Sequence, residues 1–420
     1  MKTVFWILVL LLTIVVVFSV DQNFKPEVGD ALKSSKSAEI QPTQQSKLTI
    51  KNDNTQRTNL VGDLEVIIED DFENKIARTK YYLYVNQENK HYELSFGEQE
   101  PTQLIPGTKL SVSGAVQKKL SEENKFLVNN YKVLEDTTAQ PRGGDTNPNL
   151  GEQKMAVILV NFQDNSSYPI TVQEVWRQVF DESNPESIAN NIREYSYGQT
   201  LVTGDVYGWY TLPFNTDYFG PYCDPFWLME ETIRISDNYT NFQNYNRLMI
   251  VFPAMTCPYS GVATRGGINI VTDDGLIAMS LSAINGGEHM ENGVGNHELG
   301  HNFGAGHSNY LECGDQTVGD NCIIYYYGNQ FDVMGQGGMK GHFNAIHKKN
   351  IGWLSQYNII EIINPGIYTI YAFEDLSTTQ KVLKIPTGGY NYFVEYRRPM
   401  GLDIRNFELY GLAFGGNTNV

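Results

Sequence analysis

The stretch His297-Glu298-Leu299-Gly300-His301-Asn302-Phe303-Gly304-Ala305-Gly306-His307 holds three of the seven histidines of a 420-residue chain, and six of the seven fall between His289 and His347. Residues four apart on a helix share one face, so His297 and His301 can turn their imidazoles towards a single metal ion, with Glu298 beside them and not itself a ligand. Gly304 can take the left-handed backbone that ends a helix, which lets the chain turn back and present His307 as a third ligand. Three neutral imidazoles leave the fourth position of a tetrahedral zinc ion open, as a catalytic site requires. A match of this kind arises about once in 100,000 random chains of this composition, so scattered core and surface histidines explain it poorly.

These residue types carry a definite chemistry. Zinc lowers the pKa of a bound water towards about 7, Glu298 can accept the proton as the water attacks a carbonyl, and the same carboxyl can pass it to a leaving amine. One Zn2+ as cofactor and proteins or peptides as substrates are therefore expected.

The run resembles the HExxHxxGxxH signature of the metzincin metallopeptidases, which also carry a methionine on a tight turn beneath the metal. Phe331-Asp332-Val333-Met334-Gly335 looks like that turn, with Met334 placed 27 residues after His307. Further segments resemble the secreted gametolysin family: Tyr195-Ser196-Tyr197-Gly198-Gln199, Gly204 to Tyr210, Gly341-His342-Phe343-Asn344-Ala345 and Ile351-Gly352-Trp353-Leu354. The likeness covers roughly residues 150 to 400. It implies that His297, His301 and His307 are the ligands, Glu298 the general base and Met334 a support with no bond to the metal. It also implies action on extracellular matrix or cell-wall proteins. Some metzincins place a Tyr two positions after the methionine; here Gln336 stands there, so the group facing the developing oxyanion is left between backbone N–H groups and a nearby Tyr. His342 and His347 are expected to be structural or surface residues of a helix after the turn. A zinc class completed by a distant Glu is disfavoured because Glu312 lies too close to His301. A catalytically dead binding or adhesion protein on this scaffold is the competing reading, and the presence of all three ligands and the base argues against it.

Working outward, the expected architecture is multidomain: a small all-β N-terminal pro-region, an α/β, metzincin-like zinc catalytic domain and a β-rich C-terminal segment. Met155 to Phe162 is an apolar run of strand length, and Val172, Val175, Trp176, Val179 and Phe180 form a helical stripe to pack on it. Leu248 to Phe252 and Ile268 to Thr272 add strands, placing this domain at 154–354. Upstream, period-two alternation at Leu64, Val66 and Ile68, at Tyr82 and Tyr84, and at Leu110 and Val112 predicts a β barrel or sandwich over 47–135. Pro141, Gly143, Gly144, Pro148 and Gly151 mark 136–153 as a linker. Tyr368–Tyr371, Val382–Ile385 and Tyr392–Tyr396 predict strands within 355–420.

Lys2 followed by the apolar run Val4 to Phe18 reads as a secretory signal over 1–19, and a polar, low-hydrophobicity stretch over 20–46 as a disordered tether. At about 15 residues the run falls short of the roughly 20 that span a bilayer, so a signal anchor is the lesser alternative and no stable membrane insertion is expected after cleavage. The formal charge of −17 and pI near 4.9 argue against nucleic acid as a partner. In an oxidising compartment four cysteines favour two disulfides among three connectivities, with Cys223–Cys257 and Cys313–Cys322 the expected pairing.

Latency is a further expectation. Many secreted metzincins are held inactive by a pro-region cysteine in a Pro-Arg-Cys-Gly setting. Pro141-Arg142-Gly143-Gly144-Asp145 is similar but has Gly143 in the thiol position, and no cysteine precedes Cys223. A carboxylate can fill the open zinc position instead, and Asp145 beside its glycine pair is the candidate, against the plain reading of a turn-rich linker.

Overall fold

The computed structural model describes residues 15–21, 58–97, 101, 104–117, 125–135, 147–220, 223–290, 293–316, 322–335, 341–387 and 391–404. Its strands up to the first helix are β1 (Val15–Asp21), β2 (Thr58–Asp71), β3 (Ile76–Val85), β4 (Lys90–Ser95), β5 (Lys109–Val116), β6 (Lys125–Glu135) and β7 (Gly151–Asn161). There follow β8 (Thr200–Thr211), β9 (Arg247–Phe252), β10 (Gly261–Thr264), β11 (Ile268–Thr272), β12 (Gly275–Asn285), β13 (Tyr310–Glu312), β14 (Ile323–Tyr325), β15 (Ile359–Glu361), β16 (Val382–Pro386) and β17 (Asn391–Arg397). The helices are α1 (Val172–Val179), α2 (Ile188–Tyr195), α3 (Thr216–Phe219), α4 (Pro225–Ser236), α5 (Val294–Asn302) and α6 (Ala345–Ile351).

The run at Met155 is apolar throughout because β7 lies inside a sheet covered on both faces. It pairs in parallel with β8 on one side and β9 on the other, β9 pairs in parallel with β12, and β10 closes this part antiparallel to β12. Met155, Val157 and Leu159 face one core with α1, α2 and α5; Ala156, Ile158 and Val160 face the other with α4. The stripe expected on α1 packs inward except at one position. Val175, Val179 and Phe180 are buried and Val172 packs against the same core, Gln178 adds an inward place and bonds Glu174, and Trp176 faces solvent at 44% exposure.

Upstream, the pairings β2–β3, β3–β4, β4–β6, β6–β5 and β5–β2 close a five-stranded barrel around Leu64, Leu83, Leu110, Val112 and Phe126. The alternation that marks β2 breaks at its C-terminal half, where Val66 to Asp70 are buried on both faces. The reason is a second partner. Ile67, Ile68, Glu69 and Asp70 pair antiparallel with Thr264, Ala263, Val262 and Gly261 of β10. Barrel and parallel sheet are therefore one 11-stranded mixed sheet joined through β2, where the sequence had implied separate units.

Other boundaries shift for local reasons. Val20 and Asp21, expected in the tether, belong to β1, which pairs antiparallel with β17, as do residues 15–19 of the expected leader. The end of the expected linker is held rather than free: Asn147 Nδ2 donates to the Ile351 carbonyl at 2.7 Å and Asn149 Nδ2 to that of Phe303 at 3.1 Å. Tyr368–Tyr371 is not a strand; Tyr371 N–H donates to the Gln380 carbonyl in an otherwise irregular segment. The C-terminal sheet runs β1-β17-β16-β15. Cys223 pairs with Cys257 and Cys313 with Cys322, the expected connectivity and one that fits an extracellular protein. Among the described residues no helix is long and apolar enough to cross a membrane.

Candidate metal centre

Helix α5 is polar in sequence yet buried along its whole length. That is tolerable because its polar groups have partners on the sheet. Asn302 Nδ2 donates to the carbonyls of Thr264 and Leu281, at 3.0 and 2.8 Å, tying the helix to β10 and β12, while Leu299 enters the core. The helix ends at Asn302; Gly304 follows with φ +98°, and Gly304 and Ala305 N–H groups cap the carbonyls of His301 and Gly300. The reversed chain brings His307 back to the two helical histidines, the ring centroids of His301 and His307 standing 4.8 Å apart.

Two rings are fixed by their Nδ1 atoms. His297 Nδ1 lies 2.9 Å from the Val333 carbonyl and His301 Nδ1 2.9 Å from that of Ala305. A carbonyl only accepts, so each Nδ1 carries the proton and donates it, and in the neutral ring the Nε2 lone pair is left for a metal.

Methionine 334 has a role that the geometry explains without appeal to likeness. Val333, the residue before it, supplies the carbonyl that orients His297, while the Met334 sulfur packs where a Cβ on Gly300 would sit, 2.3 Å from that point. Asp332 holds the turn, accepting from the N–H groups of Met334 at 2.8 Å and Asn344 at 2.9 Å. Its second oxygen is also 3.1 Å from His347 Nδ1. Gly300→Ala should therefore overpack the contact between α5 and the turn, with Phe343 the second obstacle at 3.0 Å. A loss of about 1–3 kcal/mol, read as a lower urea midpoint at unchanged slope, is expected.

The fourth member of the cluster comes from the barrel. Asp70, at the end of β2, sets Oδ1 2.7 Å from His307 Nε2 and Oδ2 3.1 Å from His301 Nε2 and 3.6 Å from His297 Nε2. One ligand atom from each of these four residues lies within 4.8 Å of all the others, a buried group that can hold a metal ion. Tyr327 donates its hydroxyl to Asp70 Oδ1, and Phe72 packs edge-on against His297 at 4.9 Å. Glu298 points into the same space with both oxygens buried and no hydrogen-bond donor, and Gly261 on β10 makes room for it: a Cβ there would meet its Oε1 at 2.1 Å.

Burial works against charge throughout this cluster. Burial pushes His297 down to about 3 and lowers His301, so these two rings are neutral at ordinary pH. Burial also opposes ionisation of Asp70, but positive charge on His301, His297 and His307 and a hydrogen bond to His301 hold its carboxyl well below the usual range. Burial, with Asp70 facing it, drives Glu298 well above the usual range. A divalent cation among the imidazole Nε2 atoms would offset the buried Asp70 carboxylate, which meets the histidines and the Tyr327 hydroxyl. The imidazole Nε2 of His297 also lacks a hydrogen-bond partner. The donor set, three nitrogens and a carboxylate, is one that a divalent transition-metal ion could take.

No protein-family model matches this chain, and no curated protein matches it.

The structure brings His297, His301, His307, Glu298 and Met334 into one place. Asp145, with its neighbours Pro141 to Gly144, lies outside the described residues. His342 and His347 are buried rather than on the surface, and only His347 lies in α6. His342 Nε2 meets Glu194 at 3.0 Å and its Nδ1 meets Lys348 at 2.9 Å. Asp70, Tyr327 and Gly261 were not singled out from the sequence. Asp70 sits in the acidic run Glu69-Asp70-Asp71, which reads as a solvated turn. The loss of alternation just before it, Val66-Ile67-Ile68, was the available sign that this end of the strand is covered on both faces.

Proposed function

We propose that the chain is the precursor of a secreted zinc endopeptidase, with His297, His301 and His307 holding one Zn2+ and Glu298 acting as general base. The observation that carries this reading is the convergence of buried imidazole Nε2 atoms, two of them with Nδ1 committed to carbonyls, beside an unpaired buried Glu. A zinc ion there would polarise a scissile carbonyl and lower the pKa of a coordinated water towards about 7. Glu298, beside the metal position and outside the ligand set, takes a proton from the attacking water and hands it to the leaving amine. Tyr327 is the donor proposed for the oxygen that gains negative charge, because its hydroxyl already bonds a carboxylate oxygen placed among the histidines. Export agrees with the two disulfides, and removal of a leader at 1–19 would take residues 15–19 of β1 away from β17. Extracellular matrix or cell-wall proteins as substrates follow from the gametolysin resemblance alone.

The test is hydrolysis of casein by the chain after proteolytic trimming of its N-terminal region. Exhaustive chelation is expected to abolish cleavage and zinc to restore it. Undiminished cleavage in chelated protein free of zinc contradicts the proposal, and bound zinc with no cleavage at all favours a binding protein.

A further inference from the structure

The barrel does more than precede the metal centre; it reaches into it. Asp70 is wholly buried, and its carboxylate is the only one in the described four-residue group that can hold a metal. The strand carrying it is anchored along its length. Ser260 N–H donates to the Asp70 carbonyl at 2.8 Å and Arg265 N–H to that of Val66 at 2.8 Å, bracketing the register of Ile67–Asp70 on β10. Outside the strand, Arg78 donates to the Pro258 carbonyl at 2.7 Å, and Tyr82 and His91 pack on Phe226 with ring centroids at 4.7 and 4.1 Å. Position and restraint together make a tethered carboxylate ligand.

We propose that residues 58–135 keep the precursor latent, with the Asp70 carboxylate as the fourth metal ligand and β2 covering the edge of β10. This rests on the zinc peptidase reading and assigns its regulation. Asp70 Oδ2 stands near His297 and His301 while Oδ1 engages Tyr327, so the carboxylate takes up both the open coordination position and the phenol proposed to meet the substrate oxygen. Along β10, the backbone groups that an extended peptide would pair with are already paired with β2. Cutting the chain after β6 would leave these contacts intact, so activation requires that the barrel also leave. A cavity of about 890 Å³ lies between Arg78, Lys80 and Phe96 of the barrel and His307, Asn309 and Tyr326, and it meets the four-residue group only at His307.

The test uses the full-length chain loaded with Co(II), whose visible spectrum reports the ligand set, alongside casein hydrolysis by the zinc form. Asp70→Asn is expected to change the Co(II) spectrum and to give the uncleaved zinc precursor at least tenfold more activity than wild type, whereas Asp71→Asn changes neither. An unchanged spectrum, with the wild-type precursor already as active as Asp70→Asn, overturns the latch and leaves the peptidase reading standing. A changed spectrum with no hydrolysis by any form supports ligation and sinks the peptidase reading instead. If Asp70→Asn does not fold, acetohydroxamate added to the wild-type Co(II) protein decides the matter. An unaltered spectrum at low millimolar concentration supports a filled position, and a spectral shift overturns it.

Discussion

Glu298→Gln is expected to retain zinc at the wild-type level and to lose turnover by about 100-fold or more, the range for removing a general base. The two halves of that result come from one feature of the site. Glu298 is next to His297 in sequence, yet its carboxyl does not belong to the group of four that converges on the metal position. Gln keeps the shape of the side chain in the space left by Gly261, so packing between α5 and β10 is conserved. What disappears is the carboxylate that receives the proton. Zinc content and casein turnover, measured on the same trimmed sample, check this; near wild-type turnover would rule out Glu298 as the base.

His301→Ala should act in the opposite order, losing the metal first and activity as a consequence. The ring is wholly buried, its Nδ1 satisfies the Ala305 carbonyl, and its Nε2 is the atom through which it meets Asp70. Removing a ligand should weaken zinc binding by more than the 10–100-fold typical of losing an outer partner. Casein hydrolysis should fall to background. Excess zinc should not restore it, in contrast to the chelated wild type, and recovery of activity in the variant at high zinc would show that His301 is not a ligand.

How much of this was legible in the sequence depended on how local the signal was. His297, His301 and Glu298 sit within one and a half turns of a helix, so their spacing alone places them together, and Gly304 announces the reversal that returns His307. Met334 was legible only through resemblance, because nothing in Phe331–Gly335 says that its sulfur will fill the space beside Gly300 or that Val333 will hold His297. Asp70 was not legible at all, lying 231 residues from the histidine it touches. Its placement follows from strand pairing between β2 and β10, a long-range register that a period-two pattern does not specify. The same limit explains why barrel and parallel sheet were expected apart. Where a pattern was read too generously, the excess was one residue: Trp176 faces solvent while Val172, Val175, Val179 and Phe180 pack inward.

Everything proposed for this chain depends on three of its imidazoles holding a zinc ion. X-ray absorption at the zinc edge of the purified full-length protein tests it most directly. The account predicts about one zinc per chain, ligated by three imidazole nitrogens at about 2.0–2.1 Å with oxygen completing the shell and no sulfur. Protein without zinc after saturation, or a shell lacking imidazole, would contradict it.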